Sequence, residues 1–343
     1  MLTSAFDYEL PSELIAQKPL QKRDESRMMV VDRRTGEIIH SLFRNLPEYL
    51  HQGEVLVLNS VKVIPAKAYG TKNGQDVEFL FLKEKEAGAW EVLCRPAKKI
   101  RKGDLVFFAP GFEGSVSDVG EEGKRILHFS SGNVLGHLRK VGFAPLPPYI
   151  KRPRKDLRLR TFDLERYQTF FSRREGAIAA PTAGLHFTPQ VLQRIKKHGV
   201  VVCDINLEVG QATFQPVRTE HIEDHKMLEE RFTIGPSAAR KINLAKKEKR
   251  PVIAVGTTVV RTLETASGPR RVETGTQSTG LFICPGYTFK TVDRLLTNFH
   301  LPGSTLLMLV SAFAGLEIIR KAYAEAVRQR YRFYSYGDCM FIT

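Results

Sequence analysis

Between Val77 and Phe129 the chain reads as short strands and nothing else. Val77-Glu78-Phe79-Leu80-Phe81-Leu82, Ala89-Trp90-Glu91-Val92-Leu93, Leu105-Val106-Phe107-Phe108, Gly114-Ser115-Val116 and Arg125-Ile126-Leu127-His128-Phe129 follow one another with Gly-rich turns between them. Their spacing of roughly 10 residues is the signature of a small antiparallel barrel. On either side, strand-like runs alternate with helix-like runs, which is the pattern of an α/β domain. The order predicts an α/β fold: a larger α/β domain with an inserted small antiparallel β-barrel domain. We place the barrel at 61–146 and the discontinuous α/β domain at 1–60 and 147–343. A chain of 343 residues is long enough for both without staples.

The flanking elements can be read from local signals. Pro11 to Ala16 looks like a short helix. Arg27 to Asp32 and Glu37 to Ser41 flank Arg33-Arg34-Thr35-Gly36 as a hairpin, and Glu54 to Asn59 is an apolar strand. Thr188 is an N-cap, Pro189 a first helical residue and Gly199 a stop. Val200 to Val209 alternates, with Asp204, Asn206 and Glu208 on its polar face, which could line a pocket or meet water. Further along, Pro236 to Lys247 is a helix, Pro251 to Gly256 a buried strand, and Val259 to Ala266 the helix after it. Leu281 to Cys284 reads as another strand. Ser304 to Ala314 and Leu316 to Arg328 are helices broken at Gly315, and Tyr331 to Asp338 is a strand entering a tight turn. The longest apolar run, Leu306 to Ala314, is far below the ~20 residues a membrane span needs.

Three stretches share one build, a strand-like run, then a loop of small polar residues, then a helix. They are Ala179 to Thr188, Val255-Gly256-Thr257-Thr258, and Thr297 to Thr305. Such loops tend to gather at one end of an α/β sheet, where ligands bind. Gly184 lets backbone approach a ligand closely and tolerates φ > 0. His186 and His300, one in each outer loop, suit proton abstraction near neutral pH, although a lone histidine is more often structural. Glu208, Asp293 and Asp338 complete the stock of carboxylates. Arg261 and Glu264 stand i and i+3 on one helix, as a surface ion pair or as a clamp for a carboxylate ligand. There is no P-loop, HExxH, nucleophile elbow or full GxGxxG, which weakens the usual hydrolase and NTPase readings.

A formal net charge of +15 suggests a polyanionic partner, nucleic acid before membrane. From Lys151 to Arg174 there are nine Lys or Arg, interleaved with Tyr167, Phe170 and Phe171. Arg152, Arg154, Lys155, Arg158, Arg160 and Arg166 could neutralise phosphates while Tyr167 stacks on a base. The same composition would serve a solvated linker. Four scattered cysteines without zinc or redox spacing read as reduced thiols, and the N-terminus does not read as a signal peptide, so a cytoplasmic setting is expected.

Several blocks resemble one family, the S-adenosylmethionine:tRNA ribosyltransferase-isomerases of queuosine biosynthesis. They are Phe6 to Pro11, Val63 to Ala66, Pro145 to Ile150, Tyr167-Gln168-Thr169, Ala180 to Thr188, Val252 to Thr258, Thr297 to Pro302 with Ser304 to Gly315, and Tyr331 to Asp338. The resemblance implies a reaction in which the ribosyl part of S-adenosylmethionine moves onto 7-aminomethyl-7-deazaguanine at the tRNA wobble position. Epoxyqueuosine forms, and adenine and methionine leave. It implies tRNA and S-adenosylmethionine as partners, the latter consumed as a substrate, with no separate cofactor, no metal and no membrane; a monomer is expected. On this reading His186 or His300 takes the ribose C5′ proton, which the sulfonium acidifies, or protonates the departing adenine. Thr182 and Asn298 position ribose hydroxyls, and Arg261 holds the methionine carboxylate. Asp338 or Glu264 receives the sulfonium charge or the substrate amine. Gly184, Thr257, Thr258 and Thr297 complete the expected substrate contacts.

The chain departs from the family pattern in three places. Glu208-Val209-Gly210-Gln211-Ala212-Thr213-Phe214 stands for His-Val-Gly-x-Gly-Thr-Phe, and His225-Lys226-Met227-Leu228-Glu229-Glu230 for His-x-Met-His-x-Glu. Asn59-Ser60-Val61 stands for Asn-Asn-Thr. These changes leave a competing reading, a catalytically silenced tRNA-binding relative.

Overall fold

The computed structural model describes residues 1–210, 217–269 and 271–343, with nothing said of the Glu122 side chain. The departure at Ala212, with its neighbours Gln211, Thr213 and Phe214, therefore lies outside the described residues. In chain order the strands are β1 Arg27–Val31, β2 Ile38–Leu42, β3 Val55–Asn59, β4 Val61–Val63, β5 Lys67–Lys72, β6 Gln75–Glu86, β7 Ala89–Arg95, β8 Leu105–Ala109, β9 Phe112–Val119, β10 Lys124–Phe129, β11 Arg174–Ala177, β12 Val201–Leu207, β13 Glu230–Ile234, β14 Val252–Val255, β15 Gly275–Thr279, β16 Arg294–Asn298 and β17 Cys339–Ile342. The helices are α1 Val134–Val141, α2 Leu157–Arg166, α3 Pro189–Lys197, α4 Pro236–Lys247, α5 Thr257–Thr265, α6 Thr305–Ala314 and α7 Leu316–Arg328.

The chain divides into two bodies. One holds Met1–Val61, Thr169–Arg174 and Ala180–Thr343; the other holds Lys62–Gln168 and Glu175–Ala179. In the second body, six antiparallel strands close a barrel in the order β10-β7-β6-β5-β8-β9. Alternation in β6 sends Val77, Phe79 and Phe81 inward, where they meet Trp90, Val92, Phe112 and Leu127. Residues 147–168, expected in the larger domain, group with this barrel. Their polar side chains are bound there: Gln168 exchanges two hydrogen bonds with the Val63 backbone, at 3.0 and 3.1 Å. Arg160 donates to the carbonyls of Gly142, at 2.7 Å, and Arg139, at 2.8 Å. The segment also contains a helix, α2, capped by Asp156, rather than a linker.

The first body is built on a nine-stranded sheet in the order β15-β13-β12-β3-β14-β16-β17-β1-β2. Its centre, β12-β3-β14-β16, is parallel, and β13 and β17 run antiparallel on its two sides. Fully buried runs such as Val55-Leu56-Val57-Leu58 and Val252-Ile253-Ala254-Val255 suit strands covered on both faces. Thr188 caps α3 by accepting from Val191 N at 3.3 Å, and Pro189 opens the helix.

Two expected strands are absent. The strand near residues 281–284 is instead β15, and the Leu281 carbonyl is taken by the Arg261 side chain rather than by a neighbouring strand. The segment 331–338 folds on itself: Gly337 N donates to Tyr334 O and Asp338 N to Arg332 O, so the strand begins only at Cys339. The expected helix at 11–16 is a single 3-10 turn, Ser12–Leu14.

Gly256 joins β14 to α5 with φ 90° and ψ 154°, a region essentially reserved for glycine. Gly256→Ala is expected to destabilise the first body by about 1–3 kcal/mol, read as a lower urea midpoint in its unfolding transition.

Candidate active site

The strand directions place many of the candidate residues along one edge. The C-terminal ends of β3, β12, β14 and β16 lie there, and so do the starts of β13, β17 and β1, because Asn298 pairs with Cys339 and Met28 also pairs with Cys339. In open α/β sheets this is the edge where ligands bind. The 3-10 turn Thr182–His186 packs onto it: a Cβ on Gly256 would lie 3.6 Å from the Ala183 Cβ, and His186 meets Asn298. The three small-residue loops therefore converge. Gly184 is needed for space rather than for a positive φ; a Cβ there would come within 2.9 Å of Thr169 and 3.0 Å of Phe171.

His186 is buried and fully bonded. Its Nδ1 lies 2.7 Å from Ser26 Oγ and its Nε2 lies 3.2 Å from Asn298 Nδ2, while the ring leans on Phe43 at 5.3 Å. Burial pushes its pKa down to about 3, and the charges of Arg332 and Arg23 lower it further. His300 is held by Thr297, Oγ1 to Nε2 2.8 Å, and its backbone N–H donates to Tyr323 OH at 2.9 Å. Burial alone lowers its pKa to about 3. Both imidazoles are neutral at physiological pH and hold a lone pair.

The carboxylates have other tasks. Asp338 accepts from Arg27 N, at 2.9 Å, and Arg332 N, at 2.8 Å, so it ties the start of β1 to the turn before β17; burial pushes its carboxyl upward against these bonds. Glu264 does not pair with Arg261. It accepts from the backbone N–H groups of Lys290, Thr291 and Val292, at 2.8, 3.0 and 3.0 Å, and from Tyr287 OH, at 3.2 Å, which anchors the loop before β16. Arg261 is no surface residue: its NH1 pairs with buried Glu230, its Nε donates to Leu281 O at 3.0 Å and its NH2 to Thr279 O at 3.2 Å. Glu230 in turn takes Gly210 N at 2.8 Å. The pair sits at the same edge, since Glu230 opens β13 opposite Thr279.

Thr257 and Thr258 are buried at the start of α5, and Thr182 is half-buried. Among the described residues, Asn298 Oδ1 and Thr258 Oγ1 are buried side-chain atoms with no hydrogen-bond partner. Asp293 lies at the opposite edge, where it accepts from Val252 N at 2.8 Å and pairs with Lys246. A cleft of about 490 Å3 opens beside it, and three of its six lining cations are spent: Lys246 on Asp293, Arg250 on Glu248 and Arg294 on Glu54.

In the second body the expected RNA contacts separate into two groups. Arg152 is bidentate on buried Asp163, at 2.8 and 3.0 Å; Lys155 pairs with Asp76; Arg160 is spent on carbonyls; Arg166 is half-buried; and Tyr167 is a core residue, unable to stack on a base. Arg154 and Arg158 stay exposed, beside exposed Leu157 and Phe162.

Comparison with known proteins settles the family. The model of the queuosine biosynthesis proteins matches residues 3–342. The chain belongs to the queuosine biosynthesis protein family. It is 51% identical over 340 residues to an S-adenosylmethionine:tRNA ribosyltransferase-isomerase of Carboxydothermus hydrogenoformans, covering 98% of each chain. It is 48% identical to the protein of that name from Halothermothrix orenii, covering 100% of each. A solved structure, S-adenosylmethionine tRNA ribosyltransferase from Thermotoga maritima, matches 99% of this chain and 100% of that one with a TM-score of 0.57 and 39% identity. The curated members of this queuosine family are thus transferases by name. Among the family departures, Leu228 is 43% exposed, and Glu208 is half-buried with its backbone N–H on Arg231 O. Among the described residues, no helix is long and apolar enough to cross a membrane.

Ser26 and Glu230 were not among the expected site residues. Glu230 carried a signal: it shares the buried face of β13 with Phe232 and Ile234, so it required a buried cation. Ser26 carried none beyond its place just before a strand.

The two buried histidines set a pH dependence. Their folded pKa values lie below the unfolded value of about 6.5, so between about pH 6.5 and about pH 3 the unfolded chain binds protons that the folded chain refuses. Stability is therefore expected to be intact above that window and to fall as pH drops through it. The urea midpoint should fall from about pH 7 to about pH 5, with a shallower slope in His300→Gln.

Proposed function

We propose that the protein transfers and isomerises the ribosyl moiety of S-adenosylmethionine onto 7-aminomethyl-7-deazaguanine at the wobble position of tRNA, giving epoxyqueuosine with release of adenine and methionine. One observation carries the reading beyond the family match. A neutral, buried histidine sits at the edge of the sheet against Asn298, whose Oδ1, like Thr258 Oγ1 at the start of α5, is a buried atom that no described residue satisfies. Such atoms cost free energy unless a ligand or water completes them. Hydroxyl donors on a bound ribose would do so.

The chemistry follows from the substrate. A sulfonium withdraws electrons from the adjacent ribose C5′, so its C–H is the acid most readily opened by a base. His186 is the best placed to take that proton, with His300 the second candidate, because both present a neutral imidazole. A base whose pKa is held near 3 is weak; the positive charge generated on it would be offset where a carboxylate or the departing adenine shares the site. Asp338 and Glu264 support this indirectly, by holding the loops through backbone N–H groups. Arg261, engaged on Glu230, Leu281 and Thr279, supports the β13–α5 corner; a methionine carboxylate would have to use its remaining N–H donors.

Incubation with S-adenosylmethionine and precursor tRNA, followed by mass analysis of the nucleosides, is expected to yield epoxyqueuosine, with adenine released only when the modified tRNA is present. His186→Ala or His300→Ala should lower kcat by about 10²–10⁴-fold, whichever is the base. Wild-type kcat in both variants would remove the assigned roles.

Binding of tRNA should weaken steeply with salt, each neutralised phosphate contributing about 0.7–0.9 to the log–log slope. Arg154→Ala with Arg158→Ala is expected to make that slope shallower by up to two such increments, whereas Tyr167→Phe should leave it unchanged.

A further inference from the structure

The hydrogen bonds around His186 place every proton. Asn298 Nδ2 lies 3.0 Å from the carbonyl of Tyr334 and 3.5 Å from that of Asp338. Carbonyls only accept, so this side of the amide must be the NH2 group, which only donates. The same NH2 faces His186 Nε2 at 3.2 Å, so Nε2 must be the unprotonated acceptor. Nδ1 therefore carries the hydrogen. It points at Ser26 Oγ, 2.7 Å away, and the Ser26 hydroxyl hydrogen goes to the carbonyl of Arg23 at 3.2 Å. Asn298, His186 and Ser26 are buried, Ser26 being 2% exposed, and Arg23 is half-buried. The opposite tautomer would set two donors against each other at Nε2 and leave Nδ1 without a donor partner, since the hydroxyl is drawn to Arg23.

We propose that Ser26 is a positioning residue for His186: its hydroxyl holds the imidazole as the Nδ1–H tautomer and so keeps the lone pair on Nε2, at the end of β16. Ser26 stands immediately before β1 and belongs to none of the three loops that carry the other candidate residues, yet together with the Asn298 amide it sets which nitrogen can receive a proton. A second consequence concerns Asn298. When Nε2 gains a proton, from a substrate C–H whose electron pair stays on carbon, the new N–H faces an NH2. The amide must then turn over and present Oδ1, the atom that otherwise has no partner. Proton arrival at His186 is thereby coupled to release of Asn298 from the Tyr334 and Asp338 carbonyls.

The kinetic part of this inference rests on the reading of His186 as the proton-carrying group; the tautomer does not. The test uses the full chain labelled with 15N in histidine, with His186 assigned through His186→Gln. Long-range 15N–1H spectra of the wild type at neutral pH are expected to show a protonated Nδ1 and a bare Nε2. Ser26→Ala should lose that pattern, as mixed tautomers or Nε2–H, and Ser26→Thr, which keeps the hydroxyl, should retain it. In the tRNA assay Ser26→Ala should lower kcat at least about tenfold with KM for S-adenosylmethionine little changed, the behaviour of a lost transition-state interaction. A wild-type Nε2–H signal overturns the proposal, and needs no variant to fold. So does an unaltered Nδ1–H pattern in Ser26→Ala, even where kcat falls, because the effect would then be structural. A changed tautomer with unchanged kcat overturns the positioning role and shows that His186 is not the proton carrier.

Discussion

The parallel run β12-β3-β14-β16 is the constraint on which the first body depends. Parallel neighbours need crossover connections, and those connections deliver loops to one edge. Four strand ends arrive there together, and the antiparallel flanks add the starts of β13, β17 and β1. Residues far apart in the chain, such as Arg27 and Asp338, or nearer ones such as Glu230 and Arg261, thus meet at one boundary between strand and loop. At this boundary backbone amides run out of ladder partners. The fold answers with buried carboxylates: Asp338 and Glu264 take five backbone N–H bonds between them. Arg261 and Glu230 perform the complementary task, the guanidinium covering carbonyls at the end of β15 and the carboxylate covering Gly210 N. Losing one member of such a pair strands the other, a cost of about 3–5 kcal/mol.

Much of this was legible in the sequence, for physical reasons that can be named. The barrel followed from turn spacing and two-residue alternation, which are local. The cap at Thr188 followed from helix-end chemistry, also local. The convergence of the three loops was legible because each had the same strand–loop–helix grammar, and a parallel sheet turns that grammar into proximity. What failed was the assignment of polar partners. Arg261 and Glu264 share a helix face at i and i+3, but burial of both gave each a better partner elsewhere, Glu230 for one and the 290–292 backbone for the other. Pairing across a sheet leaves no periodic trace in the chain. The strand expected at 331–338 failed for a local reason: an aromatic-rich run reads as β until a carboxylate at its own end, here Asp338 on Arg332 N, closes it into a turn.

The basic segment shows how charge alone misleads. Nine cations between 151 and 174 suggested phosphate contacts or a solvated linker. Packing divided them. Arg152 became the partner of a buried aspartate, Arg160 a cap for two carbonyls, and Tyr167 a core residue. Arginine is suited to such interior tasks because its planar fork satisfies several acceptors at once. What remains facing solvent is a narrower set, Arg154 and Arg158 beside Leu157 and Phe162, which combines charge with an exposed ring.

Which polar atoms are already satisfied then separates scaffold from site. At this edge of the sheet the oxygens of Asp338 and Glu264 accept backbone N–H bonds and each nitrogen of Arg261 donates to the protein, so these residues hold geometry. Asn298 Oδ1 and Thr258 Oγ1 are not committed to any described residue, although both are buried. A folded chain tolerates such atoms where something else completes them, and they stand one at the end of β16 and one at the start of α5, on either side of the Gly256 joint. His186 belongs to both groups. Its Nδ1 is locked into the scaffold through Ser26, and its Nε2 is engaged by an amide whose own oxygen is still open. That asymmetry, one ring nitrogen fixed and the other exchangeable, is what a proton-transferring imidazole requires, and it arises here from two carbonyls, one hydroxyl and the direction of a strand.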